Sequence, residues 1–284
     1  MSTILVTGST GTVGSHVVHA LSQVSGVSVR AATRGGKNPF GANVATVSFD
    51  YDDPASLRSA LAGVDKVFLL TPFTPNQVEL AGRLLEVAKA SGVTHVVKLS
   101  AIGCDVEPGI QLGRWHRAAE QRIEASGLAY TFLRPNNFFE NFLNYYPPQA
   151  DGNIYLPWGS AGVSFLAAAD IAEVAKLAFT KPGHEGKAYS LTGSQSLTIE
   201  HAARVIGEVT GRTIRYVDVP EEAARKGMLD AGMPGWMVDA MMELHAIDKA
   251  GYAAAVAPDL VEVLGRPAQT FEEFAKLHAD RWRA

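Results

Sequence analysis

The chain has 284 residues, 47% of them hydrophobic and 19% charged, with a net charge of −4. That composition excludes wholesale disorder, and the absence of any dense Lys/Arg block excludes a basic footprint for nucleic acid. A single cysteine, Cys104, excludes an intrachain disulfide and fits a reducing cytoplasm, while no apolar run reaches the ~20 residues of a membrane span or forms a signal peptide.

In chain order, Thr3–Thr7 reads as a short strand and Val13–Gln23 as a helix. Strands follow at Val27–Thr33 and Val44–Phe49, then a short helix at Pro54–Leu61 with proline at its start. Lys66–Leu70 (strand), Gln77–Ala90 (helix), Thr94–Leu99 (strand), Gly113–Ala125 (helix) and Tyr130–Leu133 (strand) continue the alternation. Apolar strands separated by amphipathic helices imply an α/β fold, a Rossmann-type doubly wound parallel sheet covered on both faces. Asn136–Gly162 is rich in Asn, aromatics and Pro and reads as long loops near the strand ends. Asp170–Phe179 and Ile199–Thr210 read as helices, Ala188–Leu191 and Ile214–Val217 as short strands, and helices dominate from Pro220 onward. Residues 1–150 are thus expected to form the Rossmann-type core. Residues 151–284 are expected to return to that core and build a smaller, mostly helical substrate region. Met228, Met233, Met237, Met241 and Met242 cluster there, which suggests core packing or an adaptable apolar pocket.

The strongest motif is Ile4-Leu5-Val6-Thr7-Gly8-Ser9-Thr10-Gly11-Thr12-Val13-Gly14, with glycines at 8, 11 and 14 between a strand and a helix. Gly8 allows the sharp turn, Gly11 allows backbone to approach a pyrophosphate, and Gly14 allows the helix to pack close to the sheet. The amides from Thr10 through Gly14 then face the phosphates at a helix N-terminus. The second strand ends Thr33-Arg34 with no carboxylate to accept from a ribose 2′-OH. Arg34, aided by Thr33 and Lys37, suits a 2′-phosphate, so NADP(H) is preferred and NAD(H) is allowed. Asp50 follows the third strand, where it could accept from the adenine amino group.

Ligands of such sheets lie outside the carboxyl ends of the strands. Thr71, Pro72 and Phe73 end the fourth strand, Ser100 the fifth and Pro135 the sixth, so these should surround the nicotinamide half. Asn137 follows the sixth strand, and Phe138, Phe139, Phe142, Tyr145 and Tyr146 crowd the segment after it; these aromatics could wall a pocket for a flat apolar substrate, or belong to the core. No tyrosine is followed by lysine four residues on: Tyr130 and Arg134 have the spacing but lie in a strand. A Tyr-x-x-x-Lys pair that could place a tyrosine acid on a helix is therefore missing. His116 lies on the Gly113–Ala125 helix and is the candidate proton donor or substrate contact, with Glu120 one turn on to orient or charge it; the alternative is a structural histidine on the helix surface. The eight histidines show no metal-ligand spacing, and no metal is expected.

The opening turn, Arg34, Asp50-Tyr51-Asp52-Asp53-Pro54, His116-Arg117-Ala118-Ala119-Glu120, Thr131–Asn136 and Asp170-Ile171-Ala172 together resemble atypical short-chain dehydrogenases of the NmrA-like branch. That branch includes type 2 quinone oxidoreductases and triphenylmethane dye reductases. The resemblance implies NADPH as reductant, a quinoid or dye-like acceptor held between a Rossmann domain and a small helical region, and cofactor contacts at Gly8, Thr10, Gly11, Gly14 and Arg34. Conjugated acceptors delocalise the incoming charge, which agrees with the missing tyrosine. His116 and Ser100 are then the candidate catalytic pair. The resemblance leaves open a dinucleotide-sensing regulator without turnover and a biosynthetic enone, imine or ketone reductase. The only partner expected is a small aromatic or quinoid molecule, with no nucleic acid or membrane, for a cytoplasmic monomer or homodimer.

Overall fold

The computed structural model describes residues 2–35 and 38–283. The chain runs β1 (Ser2–Val6), α1 (Thr12–Ser22), β2 (Val27–Thr33), β3 (Ala45–Ser48), α2 (Pro54–Leu61), β4 (Lys66–Leu69), α3 (Gln77–Ala90), β5 (His95–Leu99), α4 (Gln111–Ser126) and β6 (Ala129–Pro135). It continues with α5 (Asn141–Asn144), β7 (Asn153–Leu156), β8 (Gly162–Val163), α6 (Ala168–Thr180), β9 (Lys187–Leu191), β10 (Leu197–Thr198), α7 (Ile199–Thr210) and β11 (Arg215–Asp218). Five further helices follow: α8 (Glu221–Asp230), α9 (Gly235–Lys249), α10 (Asp259–Leu264), α11 (Phe271–His278) and α12 (Asp280–Arg283).

Seven strands form one sheet in the order β3-β2-β1-β4-β5-β6-β9. The registers from β3 to β6 are all parallel, with Ile4 opposite both Val29 and Lys66. At the far edge Gly186 N–H donates to Tyr130 O at 2.7 Å and Asn136 N–H to Leu191 O at 2.9 Å, so β9 runs the same way as β6. The strand order reverses between β1 and β4, which makes the carboxyl end of β1 the topological switch point where ligands of such sheets bind. The strands are apolar because helices cover both faces. Leu57, Leu84, Leu85 and Ile123 of α2, α3 and α4 pack on Leu5, Val67, Val96 and Phe132, while α1 and α6 lie together over the sheet.

Two compact units result: Met1–Gly109 with Gly113–Pro135 and Ala168–Ser190, and Ile110–Leu112 with Asn136–Ala167 and Leu191–Ala284. The division does not follow the expected cut at residue 150. Residues 136–150 join the second unit through an aromatic core, and Ala168–Ser190 joins the first because α6 packs along α1 and β9 extends the sheet. In the second unit Phe139, Phe142, Trp158, Phe165, Phe271 and Phe274 form the core, and the Trp282 indole donates to Phe142 O at 2.8 Å.

The stretch expected to be long loops holds α5, β7 and β8. Its strands are two to four residues long and find partners far along the chain, β7 with β11 and β8 with β10, so local pattern carries little trace of them. The five methionines on α8, α9 and the turn between them are half-exposed rather than core residues, and α8 buries none of its side chains.

Candidate active site

The glycine turn is shaped by space that only glycine leaves. Gly8 has φ +61°, a conformation that L side chains rarely adopt. A Cβ on Gly14 would lie 2.1 Å from the Gly8 carbonyl oxygen, so the first turn of α1 can sit on the loop only without a side chain there. Gly11 is the N-cap; its amide donates to Gly8 O at 2.9 Å, and no side chain caps the helix. The amides of Thr12, Val13 and Gly14, which helix geometry leaves without carbonyl partners, therefore face outward. Thr10 and Gly11 are exposed, and Val13 is buried beneath them.

Two hydroxyls clamp this turn to its neighbours. Ser9 Oγ donates to Ala32 O at 2.6 Å, which ties the turn to the end of β2. Thr7 Oγ1 accepts the Leu70 amide at 2.8 Å, which ties it to the end of β4. Neither clamp was singled out in the sequence, although a small hydroxyl beside each turn glycine is the pattern to look for. At the end of β2, Arg34 is exposed with no ion pair among the described residues, and Thr33 Oγ1 is buried without a hydrogen-bond partner. The arrangement fits a dinucleotide: outward amides for the diphosphate, a free guanidinium for a 2′-phosphate, and no carboxylate at this strand end to repel one. Lys37 lies outside the described residues. Asp50 Oδ1 accepts the Asp52 amide at 2.9 Å while Asp53 caps α2 through the Ala55 amide at 2.8 Å, so Asp50 itself is exposed with acceptor capacity to spare.

Beyond β4, Thr71 Oγ1 lies 3.3 Å from Gln77 Oε1, Pro72 is exposed, and the half-buried Phe73 ring meets Trp115 edge-on at 6.0 Å. Pro135 is buried, and its carbonyl accepts the Ile102 amide at 3.0 Å.

Ser100 and His116 fall in one neighbourhood with different partners. Ser100 is buried, and its hydroxyl proton is committed to Glu120 Oε1 at 2.6 Å, which leaves the oxygen only an acceptor toward a ligand. Glu120 is fully buried and does not serve His116 as expected. Arg134 grips it through two bonds of 3.0 and 2.7 Å, and Arg117 adds a third at 3.0 Å. Burial works against the Glu120 charge, but Arg134 and Ser100 outweigh it and hold the carboxyl below its usual range. Cys104 lies against the same carboxylate, and burial and that charge push its thiol up to about 11, so it is no nucleophile.

The partner of His116 is Lys98. Its ammonium donates to His116 Nδ1 at 3.0 Å and to Leu99 O at 2.8 Å. Lys98 is almost fully buried, and burial brings it down to about 8. Burial and the neighbouring ammonium together hold His116 well below its ordinary value, so the ring is neutral at pH 7. Sequence reasoning missed Lys98. The available signal was a lysine inside Val96-Val97-Lys98-Leu99, a strand that must be covered on both faces.

In the second unit, Phe142 is fully buried, 5.1 Å from Phe271 and 5.2 Å from Phe165 between ring centroids, which makes it core rather than pocket wall. Phe138 is half-buried and bridges to Leu166. Asn137 is half-buried and donates through Nδ2 to Asp248 Oδ1 at 3.4 Å. The other Asp248 oxygen is buried without a partner, and burial pushes this carboxyl up to about 7. Between about pH 4 and 7 the native protein thus keeps a proton on Asp248 that the unfolded chain releases, so its contribution to stability falls as pH rises through that window. Asp248→Asn is expected to remove that dependence and to gain up to about 4 kcal/mol over wild type at pH 8 relative to pH 4. Urea unfolding at the two pH values measures it; parallel shifts of both proteins would contradict the assignment.

Among the described residues no group of three His, Cys, Asp or Glu side chains is placed to hold a metal, and no helix is long and apolar enough to cross a membrane. The profile of the NmrA-like family matches residues 1–275. The NAD(P)H azoreductase of Xenophilus azovorans is 41% identical over 280 residues, covering 97% of this chain and 98% of that one. The triphenylmethane reductase of Citrobacter sp. superposes with a TM-score of 0.85 at 25% identity, covering 99% and 100% of the two chains. The Escherichia coli NADPH-dependent quinone oxidoreductase QOR2, solved with NADPH, superposes at 0.84 with 26% identity, covering 96% and 99%. With its outward amides at the β1 switch point and a family profile spanning nearly its whole length, the chain belongs to the NmrA-like family.

Proposed function

We propose that this protein is an NADPH-dependent reductase of flat conjugated acceptors, with azo compounds and quinones as the substrate class. The observation that carries the reading is the glycine turn, uncapped and aimed outward beside an exposed Arg34, in a chain 41% identical to an azoreductase over almost its full length. Bound NADPH would supply a hydride. The chain's own residues supply the rest: amides of Thr10–Gly14 hold the diphosphate, Arg34 holds the 2′-phosphate, and Asp50, Thr71, Pro72, Ser100 and Pro135 flank the remainder of the cofactor. Phe73 and His116, both in the first unit, are proposed to meet the acceptor, with His116 acting as hydrogen-bond donor through Nε2. The protein is proposed to work in the cytoplasm as a monomer or homodimer, without a nucleic-acid or membrane partner.

A neutral histidine held by a buried ammonium favours turnover over a purely sensing role, because a sensor has no need of a poised proton. NADPH oxidation against a panel of azo dyes and quinones is expected to show saturable turnover; tight NADPH binding without oxidation by any acceptor would leave the sensing role instead. Arg34→Ala is expected to raise the KM for NADPH about tenfold or more and to change the KM for NADH about twofold or less, the loss of one charge-assisted phosphate contact. Equal changes with the two nucleotides would remove Arg34 from the 2′-phosphate.

A further inference from the structure

Lys98 is a charge in an expensive place. Its side chain lies within the sheet core at 1% exposure, where an ammonium is strongly disfavoured unless compensated. It makes no ion pair among the described residues. Glu120 is the nearby carboxylate, but its oxygens are taken by Arg134, Arg117 and Ser100. What holds the ammonium is one carbonyl, Leu99 O, and one imidazole nitrogen, His116 Nδ1. Because Leu99 is the residue that follows it, the ammonium reaches toward the carboxyl end of β5, the end at which ligands of this sheet bind.

An Nδ1 that accepts from an ammonium fixes the tautomer: the ring hydrogen sits on Nε2. A neutral imidazole cannot surrender that hydrogen alone, since imidazolate would result. It can do so when Nδ1 receives a proton in the same event, and the Lys98 ammonium stands 3.0 Å from Nδ1. The nearby hydroxyl, Ser100, has its proton committed to a carboxylate. We propose that Lys98 and His116 form a proton relay, with Lys98 as the store and His116 as the conduit to the reduced acceptor.

The relay rests on the reductase reading, and its atoms balance. Hydride addition to a quinone leaves a hydroquinone monoanion. His116 Nε2 gives its proton to that oxygen while Nδ1 takes a proton from Lys98; once the product has left, Nε2 takes a proton from solvent and Nδ1 returns its proton to the Lys98 amine, which restores both groups. His116 touches the substrate; Lys98 acts through it and is a positioning residue. Burial is the largest influence on Lys98 and lowers it; Glu120 and Cys104 oppose that, and Arg134 adds to it. Lys98 is thus mostly charged at pH 7 and becomes neutral as pH rises through about 8.

A cationic triphenylmethane dye separates the roles, because its carbocation takes a hydride and becomes neutral with no proton. Kinetics of wild type and Lys98→Met with a 1,4-naphthoquinone and with such a dye are expected to show the quinone-to-dye ratio of kcat falling ~100-fold in the variant. In wild type the quinone kcat declines above about pH 8 and the dye kcat does not follow it. Nitrogen-15 NMR of histidine-labelled protein, without acceptor, should find the His116 proton on Nε2 in wild type and a mixture of tautomers in Lys98→Met. An unchanged ratio, or a proton found on Nδ1, overturns the relay. If Lys98→Met does not fold, Lys98→Gln carries the same comparison. If wild type reduces neither acceptor, the reductase reading fails by itself, and the NMR measurement still judges the Lys98–His116 bond.

Discussion

The structure depends on the contact between the first turn of α1 and the carbonyl of Gly8. With 2.1 Å between that oxygen and the place of a Cβ on Gly14, no other residue lets the helix begin where it does. The close approach leaves the helix end uncapped and aims its amides past the end of β1, at the point where the strand order reverses. Ser9 and Thr7 then lock the turn to β2 and β4, so the geometry is set before any ligand arrives, and binding need not order the loop.

A second constraint is the buried charge around Glu120. Arg134 reaches it from β6, Ser100 from the end of β5 and Arg117 from α4 itself. One carboxylate thus ties β5, β6 and α4 together. Breaking such a cluster by removing one member leaves uncompensated charge in a low-dielectric site, which makes the arrangement rigid. That rigidity holds His116 against Lys98, and the proposed chemistry needs this pair in register.

Much of the first unit was legible because its physics is local. Val27–Thr33, Pro54–Leu61 and Gln77–Ala90 follow directly from periodicity, proline at a helix start and apolar strands between helices. The glycine turn was legible because its spacing has a steric cause. Side-chain partnerships were not. Glu120 stands one turn from His116 in sequence, yet the fork of Arg134, fourteen residues on and in another element, claims it. Phe142 reads like its half-buried neighbour Phe138, and only tertiary packing places it fully in the core. The short strands β7 and β8 pair with segments tens of residues away, beyond any window of local pattern. Lys98 was visible as an anomaly whose meaning needed the ring it touches.

Hydrogen exchange of the backbone, followed by mass spectrometry with and without nucleotide, tests the central claim most directly. Saturating NADPH should slow exchange in the segment from Gly8 to Ser15 and at Thr33–Arg34, while NADH should protect the first segment and leave the second nearly unchanged. Nucleotide bound with no protection between Gly8 and Ser15 would contradict the account, because the diphosphate would then lie somewhere other than on these amides.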